Sequence, residues 1–152
     1  MEPLDHTVVN LNLEQTGRTD GDGGSRKGLL NLTGFAYSDV HVAAAKAAMR
    51  AGIRLEDSVE SEHYFRRSDN FVLAKKGIPA HTLSVCYQFP DYHHAGDEWE
   101  KLDYENMSAV TRAIAWITLQ FADSGSVPQW NRSNPKVDSL FTKPQPVHAS
   151  QP

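Results

Sequence analysis

A long amphipathic stretch after Asp103 constrains the fold more than any other part of the sequence. Its apolar residues recur at spacings of three and four, and they are Met107, Val110, Ile114, Ile117 and Phe121. This period places them on one face of an α-helix, and Asp103 stands where an N-cap would lie. A helix with one apolar face must cover an apolar layer, so the rest of the chain has to supply that layer.

Runs rich in β-branched and apolar residues predict strands at three places. They are "TVVNLNL" from residue 7, "LLNLTGFAY" from residue 29 and "HTLSVCY" from residue 81. Between the first two runs, "TDGDGGSRKG" has the composition of an exposed turn. The sequence therefore predicts a strand pair or a strand-loop-strand arrangement, followed later by a buried strand.

Two further stretches predict helices that separate these strands. "SDVHVAAAKAAMRAG" begins with Ser38 or Asp39 as a cap and ends at Gly52, and "SDNFVLAKKG" begins at Ser68 or Asp69. Strands that alternate with helices indicate the α/β class.

The overall composition suits one soluble domain. A length of 152 residues is enough for one core. After Gly125 the sequence is rich in proline and polar residues without a period, so we predict a domain over residues 1–125 and an irregular or disordered tail over 126–152. The net charge is -4 with dispersed basic residues, which excludes a nucleic-acid surface. No apolar run reaches the roughly 18 residues of a membrane span.

The stretch "FPDYHHAGDEWEKLD" contains the strongest candidate site. His93 and His94 lie close to Asp91 and Asp97, in a loop between a predicted strand and the long helix, which is where α/β proteins build their sites. Neighbouring side chains rarely point the same way, so at most one of the two histidines would bind a metal. Cys86 is the only cysteine, so any zinc would be held by histidine and carboxylate. These residues alone leave both a metal site and a plain polar loop open.

Three stretches in this order carry a resemblance to a known family. They are "NLNLEQTGR", "FRRSDNFVLAKKGIPAHTLS" and "DYHHAGDEWEKLDYENM". Together, from about Val8 to Ala122, they resemble the C-terminal half of the zinc-dependent aminopeptidases, family 28 of the metallopeptidases in clan MH. The resemblance implies an α/β fold that is part of a mixed-sheet α/β/α sandwich with its N-terminal half absent. It also implies a peptide substrate and an extracellular or periplasmic location, although the chain carries no export signal.

The resemblance implies metal-ligand roles for two residues. Glu14 takes the place of the acidic zinc ligand that follows a strand, and His93 takes the place of the histidine in a Tyr-His-x-x-x-Asp motif. Tyr92 and Asp97 complete that motif on the substrate side or outside the ligand set, and His94 is left out. In the family these two ligands serve different metal ions. The implied chemistry is hydrolysis of an N-terminal peptide bond by a water that two zinc ions activate.

A third motif, Ser-Asp-His in the family, becomes Ser68, Asp69 and Asn70 here. The resemblance makes Asp69 a candidate for orienting groups at the site, with Ser68 beside it. Asn70 departs from the family pattern, so no role is expected for that position.

The remaining motifs of the family have no counterpart in residues 1–7. These are a histidine, a bridging aspartate and a Glu-Glu pair that holds the general base. We therefore expect a fragment or truncated copy that binds zinc weakly and is inactive alone. Two alternatives stay open, a glutaminyl cyclase-like acyltransferase on the same scaffold and a non-catalytic α/β binding module. The sequence does not predict the oligomeric state.

Overall fold

The structure is a computed structural model that describes residues 4–123 and 125–141. The strands are β1 (Asn10–Leu13), β2 (Asp20–Gly21), β3 (Gly24–Ser25), β4 (Leu29–Leu32), β5 (Arg54–Glu56) and β6 (Ala80–Ser84). The helices are α1 (Val40–Arg50), α2 (Val59–Tyr64), α3 (Asn70–Ala74), α4 (Tyr104–Asp123) and α5 (Pro135–Asp138). Short 3-10 turns cover Leu4–His6, Phe35–Tyr37, Trp99–Lys101 and Ser139–Phe141.

Four strands form a mixed sheet in the order β1-β6-β4-β5. β1 runs parallel to β6, with Asn10 opposite Ala80 and Leu13 opposite Leu83, whereas β4 runs antiparallel to β6. This mixed sheet with its helices confirms the predicted α/β class. Because β1 and β6 are parallel, their carboxyl ends lie side by side, and the loops that leave them share one edge of the sheet.

The helices cover both faces of the sheet. Side chains of successive strand residues point to opposite faces, and in β6 Leu83 packs with α1 and α4 while Ala80 packs with Phe65 and Val137. The same alternation in β1 places Leu11 against the α1 and α4 layer. The other face of β1 and β6 carries the polar side chains described below.

The predicted long helix is α4, and it packs on α1 over the first face. Val110, Ala113 and Ile117 are fully buried there. Burial of each large apolar side chain stabilises the fold by about 1.5 to 3 kcal/mol. Asp103 Oδ1 accepts a hydrogen bond of 2.9 Å from the backbone N–H of Asn106, so Asp103 caps the helix as its position predicts.

The glycine-rich stretch forms a small hairpin of β2 and β3, in which Asp20 lies opposite Ser25. It is the surface turn that its composition predicts. β5 and α2 are absent from the sequence prediction because both lack a periodic apolar pattern. The only buried side chain of α2 is that of Ser61.

The described part of the predicted tail is packed on the body of the protein. Trp130 forms a β-bridge with Ser38, and its indole Nε1 donates a 2.8 Å hydrogen bond to the carbonyl of Gly77. Val137 and Leu140 are buried in the second core cluster. Residues 142–152 of the predicted tail lie outside the described residues. The domain boundary at residue 125 stays a prediction.

None of the helices among the described residues combines the length and the hydropathy that a membrane span requires.

Candidate active site

Glu14 follows directly after β1, at the carboxyl edge of the sheet. Its backbone N–H donates to the carbonyl of Leu83 at 3.1 Å, which ties it to β6. Its carboxylate is half-buried and held on both sides: Oε1 accepts from Asn12 Nδ2 at 2.6 Å, and Oε2 lies 3.3 Å from Ser68 Oγ. The structure therefore brings together two of the predicted site residues, Glu14 and Ser68. A carboxylate has about four acceptor positions, so it can accept further ligands.

A buried hydrogen-bond network lies beneath Glu14. Asn12 Nδ2 also donates to Thr82 Oγ1 at 3.0 Å, and that hydroxyl donates to Asn70 Oδ1 at 2.9 Å. Asn70 Nδ2 in turn lies 3.2 Å from the carbonyl oxygen of Ala80. Thr82 and Asn70 are fully buried. Because every member has a partner, the network fixes the amide of Asn12 and through it the carboxylate of Glu14.

This network was not predicted from the sequence. Asn70, the departure from the family motif, has a clear structural role as its inner end. A signal was present in "NLNL", where asparagine alternates with leucine and so occupies one whole face of a strand. A polar face on a strand that is covered by a helix needs hydrogen-bond partners inside the protein.

His93 contrasts with Glu14 because it is exposed. Its backbone adopts the left-handed conformation with φ of 61°. Its ring centroid lies 4.0 Å from that of Tyr92, and Tyr92 packs edge to face on Phe89 at 5.4 Å. No hydrogen bond or ion pair joins His93 to Glu14 in the part of the chain that the structure describes. His94 is exposed as well and makes no side-chain hydrogen bond among the described residues.

Arg18 holds the histidine loop in place. Its side chain is only 3% exposed, and Nη1 donates to Asp97 Oδ1 at 2.7 Å while Nη2 donates to Asp91 Oδ2 at 3.1 Å. Nε of the same guanidinium donates to Asp20 at 2.8 Å, and its carbon lies 4.4 Å from the ring centroid of Phe89. Asp91 and Asp97 stand on either side of the two histidines. Arg18 therefore ties both ends of that loop to the chain that follows β1.

Arg18 and its aspartate partners stabilise one another's charged forms. The hydrogen bond to Asp20 raises the pKa of Arg18 above its ordinary value, and Asp97 and Asp91 act in the same direction. The hydrogen bond from Arg18 lowers the pKa of Asp20. Lys101, followed by Arg18, lowers the pKa of Asp91. The sequence prediction assigned Asp97 to the site and did not include Arg18. The presence of two acidic residues in one loop was a signal, because such residues are usually paired with a cation.

Asp69 stands at the start of α3, where its side chain is exposed and makes no capping hydrogen bond. Its proposed orienting role stays a prediction. Cys86 is buried beside the same edge of the sheet, and its thiol donates to the carbonyl of Arg18 at 3.3 Å. Burial raises the pKa of Cys86 to about 11, so the thiol stays protonated at neutral pH and is unsuited to nucleophilic or metal chemistry.

A cavity of about 380 Å³ opens between the hairpin, α2 and the chain that follows β6. Tyr64 and Tyr87 line it with stacked rings whose centroids are 4.5 Å apart. Ser68 Oγ lies 3.3 Å both from the carbonyl oxygen of Tyr64, which lines the cavity, and from Glu14. Ser68 therefore connects the cavity wall to Glu14, although neither Ser68 nor Glu14 lines the cavity itself.

Zinc in a catalytic site takes about three protein ligands and one water. Among residues 4–123 and 125–141, no group of three or more histidine, cysteine, aspartate and glutamate side chains is arranged to hold a metal ion. Glu14 and His93 each offer a donor, but the described residues do not form a complete zinc site.

The mixed sheet defines an α/β protein. The polar groups at the carboxyl ends of β1 and β6, together with the neighbouring cavity, form an enzyme-like site at the edge of that sheet. Comparison with known protein families identifies the family to which the chain belongs. The model of peptidase family M28 matches residues 1–118, and the chain belongs to this family. Its members are generally zinc-dependent, and membership supports a peptidase activity. Neither the curated proteins nor the solved structures that were searched gave a match.

Proposed function

We propose that the protein is a zinc-dependent exopeptidase of the aminopeptidase type, in which Glu14 and His93 are metal ligands. The observation that carries the proposal is the carboxylate of Glu14. In a chain of a peptidase family, it lies at the carboxyl edge of the sheet, fixed by Asn12 and Ser68, and Ser68 connects it to the wall of a cavity of suitable size for part of a peptide.

Each residue has a defined task in this proposal. Glu14 presents an oriented oxygen donor from the strand side, and His93 presents an exposed ring nitrogen from the loop side. Asp97 keeps the loop attached to Arg18, and Tyr92 supports the ring of His93. Zinc, when bound, would polarise the peptide carbonyl and acidify a water. The described residues supply one donor for each of two ions, so the further donors must come from outside them.

Calorimetric titration of the chain with zinc tests the metal assignment. We expect weak binding, because each ion would have one protein ligand in the described part of the chain. Glu14→Gln and His93→Ala should each weaken one binding event about tenfold or more, whereas the neighbouring His94→Ala should bind as the unchanged protein does. An equal loss from His94→Ala would contradict the assignment of His93.

Mass spectrometry of incubated peptides tests the reaction, once a polypeptide that supplies the further donors is present. The expected product lacks one N-terminal residue, and an N-acetylated peptide serves as the unreactive control. Glu14→Gln should abolish the release. Conversion of an N-terminal glutamine to pyroglutamate without loss of a residue would instead identify a glutaminyl cyclase.

A further inference from the structure

We propose that the free edge of β1 is an interface, at which a second copy of this chain pairs antiparallel with β1 and joins the two sheets into one. β1 is an edge strand in the order β1-β6-β4-β5, and among the described residues it pairs with β6 alone. This association goes beyond the proposed function and needs neither zinc nor a substrate.

The outer edge of β1 presents a row of backbone donors and acceptors. Asn10 and Glu14 donate their backbone N–H groups to carbonyl oxygens on the β6 side, at 2.9 and 3.1 Å. Backbone groups of successive strand residues point to alternate sides of the strand. The N–H and carbonyl groups of Leu11 and Leu13 therefore point away from β6, to a side where no described strand lies. Another strand satisfies such a row of groups best.

The two edges of the sheet differ in how they are protected against pairing. β5 at the opposite edge has two charged residues among its three, Arg54 and Glu56. Charged side chains and proline are the residues that soluble proteins place on edge strands to prevent association. The stretch "TVVNLNL" from residue 7 contains neither. The β1 edge is therefore open to a partner strand, whereas the β5 edge is protected from one.

An apolar groove of about 340 Å³ lies beside the same edge. None of the residues that line it is charged, and they are Val8, Val9, Leu11, Thr118, Phe121 and Ala122. Val8 is 40% exposed, and Leu13 at the end of β1 is 50% exposed. Apolar surface that is gathered along an unpaired strand is typical of a protein interface.

A second copy fits this edge because the residue pattern of β1 is self-complementary. In an antiparallel pair centred on Leu11, Val9 lies opposite Leu13 of the second copy, and Asn10 lies opposite Asn12 of the second copy. Opposite residues share one face of the sheet, so apolar side chains meet apolar ones and amides meet amides. This register also pairs the residues whose backbone groups point outward.

The pairing is closed at two copies. An antiparallel pair of β1 strands has two-fold symmetry, so each copy uses the same patch of its surface. The remaining edge of each sheet is the charged β5, which does not continue the assembly. The expected product is therefore a dimer with one eight-stranded sheet and no fibre.

Sedimentation velocity of the full chain, in a buffer with a chelator, tests the association. One short strand gives a small and weak interface, so we expect the 16.9 kDa monomer at about 1 µM and twice that mass at about 100 µM. Leu13→Lys should raise the dissociation constant about tenfold or more, because pairing would remove water from the added charge. Leu119→Lys is the matched control, since Leu119 is similarly exposed, at 45%, and lies outside the groove. It should dimerise as the unchanged protein does.

Hydrogen exchange of the unchanged protein gives a second measurement that needs no substitution. Mass spectrometry of peptides that contain Leu11 and Leu13 should show exchange about tenfold slower at about 100 µM than at about 1 µM, because pairing protects their outward N–H groups. Peptides that cover β5 are the control and should exchange equally at both concentrations.

A monomer at every concentration would overturn the proposal, as would exchange at Leu11 and Leu13 that is independent of concentration. A dimer that Leu13→Lys leaves intact would overturn it as well. Loss of the dimer in Leu119→Lys alone would place the contact on another surface of α4, with the same consequence. Zinc is absent from both measurements, so the proposed function is tested separately by the zinc titration.

Discussion

The strand side and the loop side of the candidate site are held by different forces. Glu14 on the strand side is held by a hydrogen bond from the uncharged side chain of Asn12, which also donates to Thr82. The loop that carries His93 is fixed by charges, because Arg18 binds the aspartates on both sides of it. Hydrogen bonds from uncharged donors are little affected by salt, whereas ion pairs with partly exposed carboxylates are weakened by it. The difference indicates that the strand side is pre-organised and that the loop side depends on one arginine.

The largest effect is expected from Arg18→Met, which removes the cation and leaves three aspartates without it. We expect a loss of about 3 to 4 kcal/mol in the free energy of unfolding, near the lower end for breaking a buried ion pair because the carboxylates are partly exposed. Urea denaturation measures it. Arg54→Met, at an exposed arginine without a side-chain partner among the described residues, is the control and should change the free energy by less than about 0.5 kcal/mol. Equal stability of the two variants would contradict the role given to Arg18.

The second prediction concerns the stability of the strand side at acid pH. His81 in β6 is fully buried between Ser38 Oγ and the carbonyl of Thr33, at 2.6 and 2.7 Å, and burial lowers its pKa to about 4. The unfolded chain binds this proton near pH 6.5, so the folded state loses stability as the pH falls from about 6.5 towards 4. The hydrogen bond to the Thr33 carbonyl and the charge of Asp39 raise this pKa, and the charge of His41 lowers it, but burial is the largest cause. The expected loss is about 2 to 3 kcal/mol.

Urea denaturation at pH 7, 5.5 and 4 would measure this loss. His81→Gln is the matched variant, because it lacks a titrating ring. Its stability should fall less steeply over the same interval, whatever its stability at pH 7. A slope equal to that of the unchanged protein would show that other groups cause the acid sensitivity.

The third prediction tests the network beneath Glu14. Thr82→Val keeps the shape of the side chain and removes the hydroxyl that joins Asn12 to Asn70. Buried groups left without a partner cost about 1 to 2 kcal/mol, and thermal or urea unfolding would detect this. Thr118→Val on the exposed surface of α4 removes a hydroxyl that bonds only to Ile114 of its own helix, and it should be nearly neutral. A neutral Thr82→Val would mean that the network does not restrain Glu14.

The smallest effect distinguishes the two histidines of the loop. His93 has φ of 61°, a conformation that costs a residue with a Cβ about 1 kcal/mol more than glycine. His93→Gly should therefore be about 1 kcal/mol more stable than His94→Gly, in a buffer with a chelator. The reverse order of stability would show that the loop conformation differs from the one described.

The parts of the fold that the sequence predicted have local signals. α4 has an apolar period and Asp103 as its cap, and α1 has its alanine-rich interior and the glycine that ends it. The position of Glu14 at the end of a strand follows from the alternation in β1 and from the resemblance to the family. Such features depend on residues that are neighbours in the chain, so they can be predicted from the sequence.

The remaining features depend on contacts between distant residues. Arg18 and Asp97 are 79 positions apart, and Asn12 and Thr82 are 70 apart. No period connects such pairs, and only the parallel alignment of β1 with β6 brings them together. β5 and α2 are short and nearly without apolar residues, and Val137 and Leu140 pack from a segment without regular spacing. For the same reason the cavity could not be predicted, since it lies between the hairpin and α2.

The most direct test of the central claim is crystallographic. Crystals of the chain soaked in zinc and measured at the zinc absorption edge should show anomalous peaks at about 2.0 to 2.2 Å from a carboxylate oxygen of Glu14 and from a ring nitrogen of His93. No such peak is expected at His94. A zinc ion on His94 with none on His93, or sites that leave Glu14 without a metal, would contradict the account.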